Sequence, residues 1–282
     1  MNRREFISLT PALAAGTMLA TGCNAFKKHS KKKGIGYYDS PHNIFFNSLR
    51  QLNVSWAYNW HAEETRAMPR GVEFFPMAWG FRNGQDKFYE EVERIKASGA
   101  HTLLCFNEPD HSDQAYIPVE KVLEVWPFLE KTGMRLSAPA CGNPFGKWMR
   151  DFMAVAKERK YRMDFLNMHD YCYLDVKDYG ERDAQRLVDR ITKYSRMYDN
   201  RPVWLTEMGI ADFHVKKLED NAYKMNDIAK FMRTILPKLE QLEIVERYAW
   251  FHGMVNDPNY GNMALVDLEG ELTILGQIYS EF

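Results

Sequence analysis

Apolar residues recur along this chain with two alternating periods. Short runs that are apolar throughout, or at every second position, read as strands; longer stretches with apolar positions every three or four residues read as helices. The strand candidates are residues 34–38, 53–60, 73–80, 103–108, 135–140, 163–171, 202–209 and 246–251. In the second, Trp56, Tyr58 and Trp60 share one side, with Ala57 and Asn59 on the other. Pro76 weakens the third, because proline cannot donate to a ladder. Between them, Phe88, Val92 and Ile95 mark one helical face that Gly99 closes. Val119, Val122, Leu123, Trp126 and Leu129 mark the next, stopped by Gly133, with Pro127 expected to kink it. Trp148, Met149, Phe152, Val155 and Ala156 follow, then Leu187, Ile191 and Tyr194, then a long helix over about 221–242. Eight strands separated by helices predict an α/β chain folded as a parallel (β/α)8 barrel of the TIM type. No internal repeat interrupts it, so 34–282 reads as a single domain.

The N-terminus reads differently. Arg3-Arg4 precedes an apolar stretch from Ile7 to Ala20, and Leu19-Ala20-Thr21-Gly22-Cys23 follows the pattern of a bacterial lipoprotein cleavage box. Residues 1–22 are therefore expected to be a twin-arginine-like signal peptide, with Cys23 as the lipidated residue. An ordinary secretory signal cleaved nearby is the alternative. Residues 23–33, with Lys27, Lys28, Lys31, Lys32 and Lys33, are expected to form a solvated tether drawn to anionic head groups. The expected location is the bacterial cell envelope, lipid-anchored to a membrane on the periplasmic or outer side.

Composition narrows the chemistry. Among 282 residues the net charge is −1, which gives no basic field for nucleic acid. Cys105, Cys141 and Cys172 are too widely spaced for a zinc pattern or a disulfide framework. There is no Gly-rich phosphate loop and no Gly-x-Ser-x-Gly elbow, and no cofactor or metal is expected. Aromatic residues make up 14%, enough to fill a core and leave platforms for sugar stacking.

Two strands end on a glutamate. Leu103-Leu104-Cys105-Phe106-Asn107 stops at Glu108, where Pro109 should hold the preceding backbone extended. Val203-Trp204-Leu205-Thr206 leads to Glu207. As fourth and seventh strands of a barrel, both would deliver their carboxyls to one mouth. Paired carboxyls are what a glycosidase needs, one to protonate the leaving oxygen and one to attack or to activate water. Asn107 offers an amide to a sugar 2-hydroxyl. Trp60, Trp79 and Trp250, at strand ends, are expected to floor sugar subsites, whereas Trp56, Trp126, Trp148 and Trp204 are expected in the core. Asn59 is a candidate for substrate contact, and His169 and Tyr171 for hydrogen bonds to substrate or to Glu207. Asp110 and His111 read as loop polarity.

Five ordered segments, Ser55-Trp56-Ala57-Tyr58-Asn59-Trp60, Phe75-Pro76-Met77-Ala78-Trp79-Gly80, Phe106-Asn107-Glu108-Pro109-Asp110, Trp204-Leu205-Thr206-Glu207-Met208-Gly209 and Tyr248-Ala249-Trp250-Phe251, resemble glycoside hydrolase family 128 over about 34–279. The resemblance implies a (β/α)8 barrel and retaining hydrolysis of β-1,3-glucan. It casts Glu108 as acid/base and Glu207 as nucleophile; on chemical grounds Glu108 would then have the raised pKa and Glu207 stay ionised. The family often has His-Trp-Tyr at the sixth strand end, where this chain has His169-Asp170-Tyr171. That change is expected to remove a stacking face and add a carboxylate. The rival readings are a non-catalytic glycan-binding lipoprotein on the same barrel, and a glycosidase of the same clan with another polysaccharide specificity.

Overall fold

The structure, a computed structural model, describes residues 30–38, 41–175 and 180–282. The elements run β1 (Lys33–Gly36), α1 (Ile44–Ser48), β2 (Trp56–Tyr58), β3 (Glu73–Phe74), β4 (Met77–Ala78), α2 (Gln85–Ala97), β5 (Thr102–Cys105), α3 (Val119–Lys131), β6 (Arg135–Leu136), α4 (Lys147–Glu158), β7 (Leu166–Tyr171), α5 (Glu181–Met197), β8 (Val203–Gly209), α6 (Met225–Gln241), β9 (Val245–Phe251) and α7 (Ile274–Glu281). All ladders are parallel, in the orders β3-β2-β1-β9-β8-β7 and β4-β5-β6. β3 and β4 are one barrel strand broken at Phe75-Pro76, so the first seam between the two sheets is covalent. At the other seam, Ser137 bridges Phe165, and the N–H groups of Ala138 and Asp164 donate to the carbonyls of Phe165 and Leu136. The strands thus follow each other round the eight-stranded circuit expected of this pattern.

Side-chain alternation divides the core in two. Trp56, Tyr58, Phe75, Met77, Leu104, Phe165, Trp204 and Ala249 fill the lumen. The alternate positions, such as Ala57, Leu103, Cys105 and Leu205, pack outward with the apolar faces of the helices. Gly34 lies where the Trp56 indole crosses the lumen, and a Cβ there would sit 2.1 Å from the ring.

Several elements depart from the sequence pattern. The second strand has no helix after it: residues 61–72 offer few apolar positions and end in Pro69-Arg70-Gly71, so they run as an irregular loop. Helix α7 adds to the predicted elements; Thr273 caps it, and Leu275, Ile278 and Tyr279 are buried against the barrel. Pro127 does not interrupt α3.

The lysine run is also divided. Lys31 is exposed, but Lys33 belongs to β1, is fully buried, and donates to the Tyr279 carbonyl 2.6 Å away. The Lys32 ammonium donates to the carbonyls of Leu239, Glu240 and Leu242 at the end of α6, where a helix dipole favours a cation. The last two lysines of the expected tether therefore belong to the barrel and cap two helix ends. Residues 1–22, Cys23, Lys27 and Lys28 lie outside the described residues.

Candidate active site

Four backbone irregularities aim the site. Phe106 has φ +54°, which breaks the alternation and sends its ring outward onto Phe88 and Trp126. Glu108 then takes φ +43°, in the left-handed region and not the extended one expected before proline. Its N–H donates to Ala140 at 2.6 Å and its carbonyl accepts from His111 at 3.0 Å, and these two bonds hold the strained turn. Trp60 has φ +58°. On β8 the register against β9 slips between Leu205 and Met208. Strict alternation would send Glu207 outward with Leu205; the bulge turns it into the mouth and Met208 into the outer core. Strain and bulges concentrated at one mouth are what a functional site produces when the surrounding fold over-determines it.

The two glutamates meet across the mouth with His169 between them. His169 Nδ1 lies 2.8 Å from Glu108 Oε1, and Nε2 lies 3.5 Å from Glu207 Oε1 without forming a hydrogen bond. One oxygen of each glutamate and one ring nitrogen lie within 4.8 Å of one another. Glu207 also accepts from Trp60 Nε1 at 2.8 Å, Tyr171 Oη at 2.8 Å and Tyr58 Oη at 3.3 Å. Burial and the Glu207 charge push the Tyr58 and Tyr171 phenols well above their ordinary range, so both stay neutral donors. Burial pushes the Glu108 carboxyl up, but the hydrogen bond and charge of His169, with help from His111, outweigh it and hold the group below the ordinary carboxylate range. This corrects the expected raised pKa of Glu108: the nearby cation, which the sequence did not place, wins over desolvation. Burial pushes the His169 imidazole down, but Glu207, Glu108 and Asp110 outweigh it and lift it.

A cleft of about 810 Å³ opens above the pair. Tyr38, Trp60, Tyr171, Phe213, Phe251 and Tyr260 form an aromatic wall on the Glu207 side. Asn107, Asp110, His111, Gln114 and Asn143 line it near Glu108, and Arg82 lies over the Trp79 indole at 4.1 Å. Asn107 donates to Gln114, and its buried Oδ1 has no hydrogen-bond partner among the described residues.

Other expectations change. Trp250 is fully buried, donates to the Met263 carbonyl and packs toward Phe231; on β9 it faces the helices, and Phe251 occupies the mouth instead. Asn59 also faces away from the lumen and holds its own loop through the Glu63 carbonyl and His61 N–H. His169 is enclosed between the glutamates and does not line the cleft. Asp170 points behind the sheet to Arg190 at 2.7 Å, so it adds no carboxylate to the cleft. Asp110 is more than loop polarity, because its oxygens accept from the N–H groups of Gly142 and Asn143 at 2.8 and 2.9 Å. Trp56, Trp126 and Trp204 are buried as expected, while Trp148 is half-buried and donates to Ile117. The period-two alternation already placed Tyr58 beside Trp60, and Tyr38 closes the first strand candidate; Phe213 and Tyr260 sit on loops and carry no such signal.

A parallel barrel holding two apposed glutamates and an aromatic cleft at the C-terminal ends of its strands defines a glycoside hydrolase of the two-carboxylate kind. A family model described as the glycosyl hydrolase catalytic core matches residues 34–279, and the chain belongs to that family. No curated protein matches it. Among solved structures, it is similar to a GH128 subgroup I endo-β-1,3-glucanase from Amycolatopsis mediterranei in complex with laminaritriose, at 32% identity and TM-score 0.74, over 89% of this chain and 99% of that one. A GH128 subgroup II endo-β-1,3-glucanase from Sorangium cellulosum is 30% identical, with TM-score 0.70, over 88% and 97%. A GH128 subgroup III curdlan-specific exo-β-1,3-glucanase from Blastomyces gilchristii, in complex with glucose, is 26% identical, with TM-score 0.68, over 90% and 99%.

Proposed function

We propose that this protein is a retaining glycoside hydrolase that cleaves β-1,3-glucan, with Glu108 as acid/base and Glu207 as nucleophile. The observation that carries the reading is the apposition of the two carboxylates, one oxygen of each within 4.8 Å of the other, beneath an open cleft. A close approach is what a retaining pair requires, its carboxyls standing roughly 5–5.5 Å apart so that one can attack the sugar directly. The β-1,3-glucan substrate is supported by the solved relatives, several of which hold laminari-oligosaccharides.

Glu207 suits the nucleophile's role because Trp60, Tyr171 and Tyr58 hold its oxygens in fixed directions beside the aromatic wall. Its oxygen attacks the anomeric carbon while protonated Glu108 gives its proton to the departing glycosidic oxygen. A glycosyl ester to Glu207 forms and the sugar–oxygen bond breaks. The Glu108 carboxylate then takes a proton from water, which attacks the same carbon and frees Glu207. Asn107, which lines the cleft beside Glu108, can offer its amide to the sugar 2-hydroxyl in both steps. Reducing-end release from laminarin tests this: Glu207→Ala and Glu108→Gln should each lose at least about a thousandfold, as expected for removing an essential catalytic group. Equal activity in all three proteins would overturn the assignment.

The N-terminal sequence supports export and lipid attachment through Cys23, which would place the enzyme on the bacterial cell envelope. Cys23→Ala should abolish fatty-acid labelling and release the protein from the membrane fraction; continued labelling would refute the anchor.

A further inference from the structure

We infer that His169 stores the proton of the resting site and hands it from Nδ1 to Glu108 Oε1 when glucan fills the cleft, making it a positioning residue for general acid catalysis. The inference rests on the acid/base role given to Glu108 above.

The ring has only a few ways to satisfy its surroundings. Its side chain is 1% exposed, Nδ1 is 2.8 Å from Glu108, and Nε2 faces Glu207 at 3.5 Å. A neutral ring protonated at Nδ1 would point the Nε2 lone pair at the Glu207 oxygen. A neutral ring protonated at Nε2 would point the Nδ1 lone pair at Glu108, which is favourable only if Glu108 carries a proton and donates it. Two arrangements therefore fit: an imidazolium between two carboxylates, or protonated Glu108 donating to a neutral ring whose Nε2–H faces Glu207. They contain the same number of protons and differ in the position of one proton along a 2.8 Å contact.

The surroundings favour the first arrangement at rest. Burial opposes the cation, but Glu207 on β8 and Glu108 and Asp110 from the loop after β5 outweigh it, and His111 from the same loop favours the ionised form of Glu108. The Tyr58 and Tyr171 phenols donate to Glu207 and stay neutral. The Cys141 thiol, on the strand beside β7, is pushed well up by burial and also stays neutral. Behind β7, Asp170 is taken by Arg190. A bound glucan removes water from Glu108, which is 15% exposed at its side chain, and a drier site disfavours separated charges. The proton then moves to Glu108, which passes it to the leaving oxygen; after deglycosylation the proton taken from water restores the pair. No oxidant, metal or further base is needed.

Two measurements on the full chain test this. In the pH profile of kcat/KM on laminaripentaose, the alkaline limb should lie above about pH 6.5, the ordinary histidine value, because the proton belongs to the His169–Glu108 pair. In folded His169→Asn the limb should move to lower pH by at least about one unit, so that activity falls about tenfold more between pH 5 and pH 7.5 than in the parent. A folded variant with an unmoved limb would overturn the inference. Nitrogen NMR of labelled histidine reads the ring without turnover: both His169 nitrogens should be protonated at about pH 6.5 in the free enzyme, and the midpoint should fall in Glu108→Gln. A neutral ring under those conditions overturns the stored proton. Failure to cleave any glucan would overturn the enzymatic reading, and the NMR result would still decide the charge of the ring.

Discussion

His252 should make the stability of this barrel depend on pH in a way that one substitution removes. It follows β9, is fully buried, and lies against Phe45 with ring centroids 4.0 Å apart. Neither ring nitrogen has a hydrogen-bond partner among the described residues. Burial alone lowers its pKa from 6.5 to about 3. The folded state therefore holds the ring neutral, while the unfolded chain protonates it near 6.5. Because the folded pKa is depressed, the stability is fully present above about pH 6.5 and is lost as pH falls from there toward about 3. Between about pH 7.5 and pH 5 the loss from this residue is about 2 kcal/mol, since one pKa unit corresponds to about 1.4 kcal/mol and the group crosses roughly one and a half units. Urea denaturation at both pH values, on the parent and on His252→Phe, isolates it. Packing will offset the variant by some constant amount at both pH values, but the parent should lose about 2 kcal/mol more than the variant between them. Equal losses in the two proteins would show that the ring is solvated or paired in solution and would refute the argument.

Tyr171→Phe removes one charge-assisted hydrogen bond to Glu207, worth about 1.5–3 kcal/mol, and should lower kcat about ten- to a hundredfold with little change in KM. Asp110→Ala frees the N–H groups of Gly142 and Asn143 beside Glu108, and should raise KM for laminari-oligosaccharides several-fold while the melting temperature stays within a few degrees. Gly34→Ala drives a methyl into the Trp56 indole in a packed lumen; it should cost at least about 3 kcal/mol in denaturant unfolding or leave the protein insoluble. Asp170→Trp, which restores the residue the family often has, should break the pair with Arg190 behind the sheet and lower the melting temperature without improving glucan turnover. A variant with increased turnover would mean that this position reaches the cleft.

Most of the barrel and both glutamates could be read from the chain because they follow short-range rules. The period-two runs and the spaced apolar helices gave the order of elements, and Pro76 marked the break between β3 and β4. What could not be read depends on departures from those rules. Alternation counted along β9 cannot say which face is the mouth, and Trp250 reads as a cleft residue where Phe251 occupies that place. The bulge at Glu207 and the left-handed turns at Phe106 and Glu108 reverse the direction of a side chain without any sequence mark. The Glu108 pKa required His169 to be seen within 2.8 Å, a contact between residues 61 positions apart. The buried Lys33 shows the same limit: a lysine run reads as solvated until two helix ends are brought to it.

The central claim, that Glu108 and Glu207 work as a retaining pair, is tested most directly by the configuration of the first product. Proton NMR during early hydrolysis of laminari-oligosaccharides resolves the newly formed anomeric centre before mutarotation. Two displacements at one carbon predict that the β-anomer appears first and the α-anomer grows in later. If the α-anomer appears first, a single displacement by water has occurred, and the roles given to both glutamates are wrong.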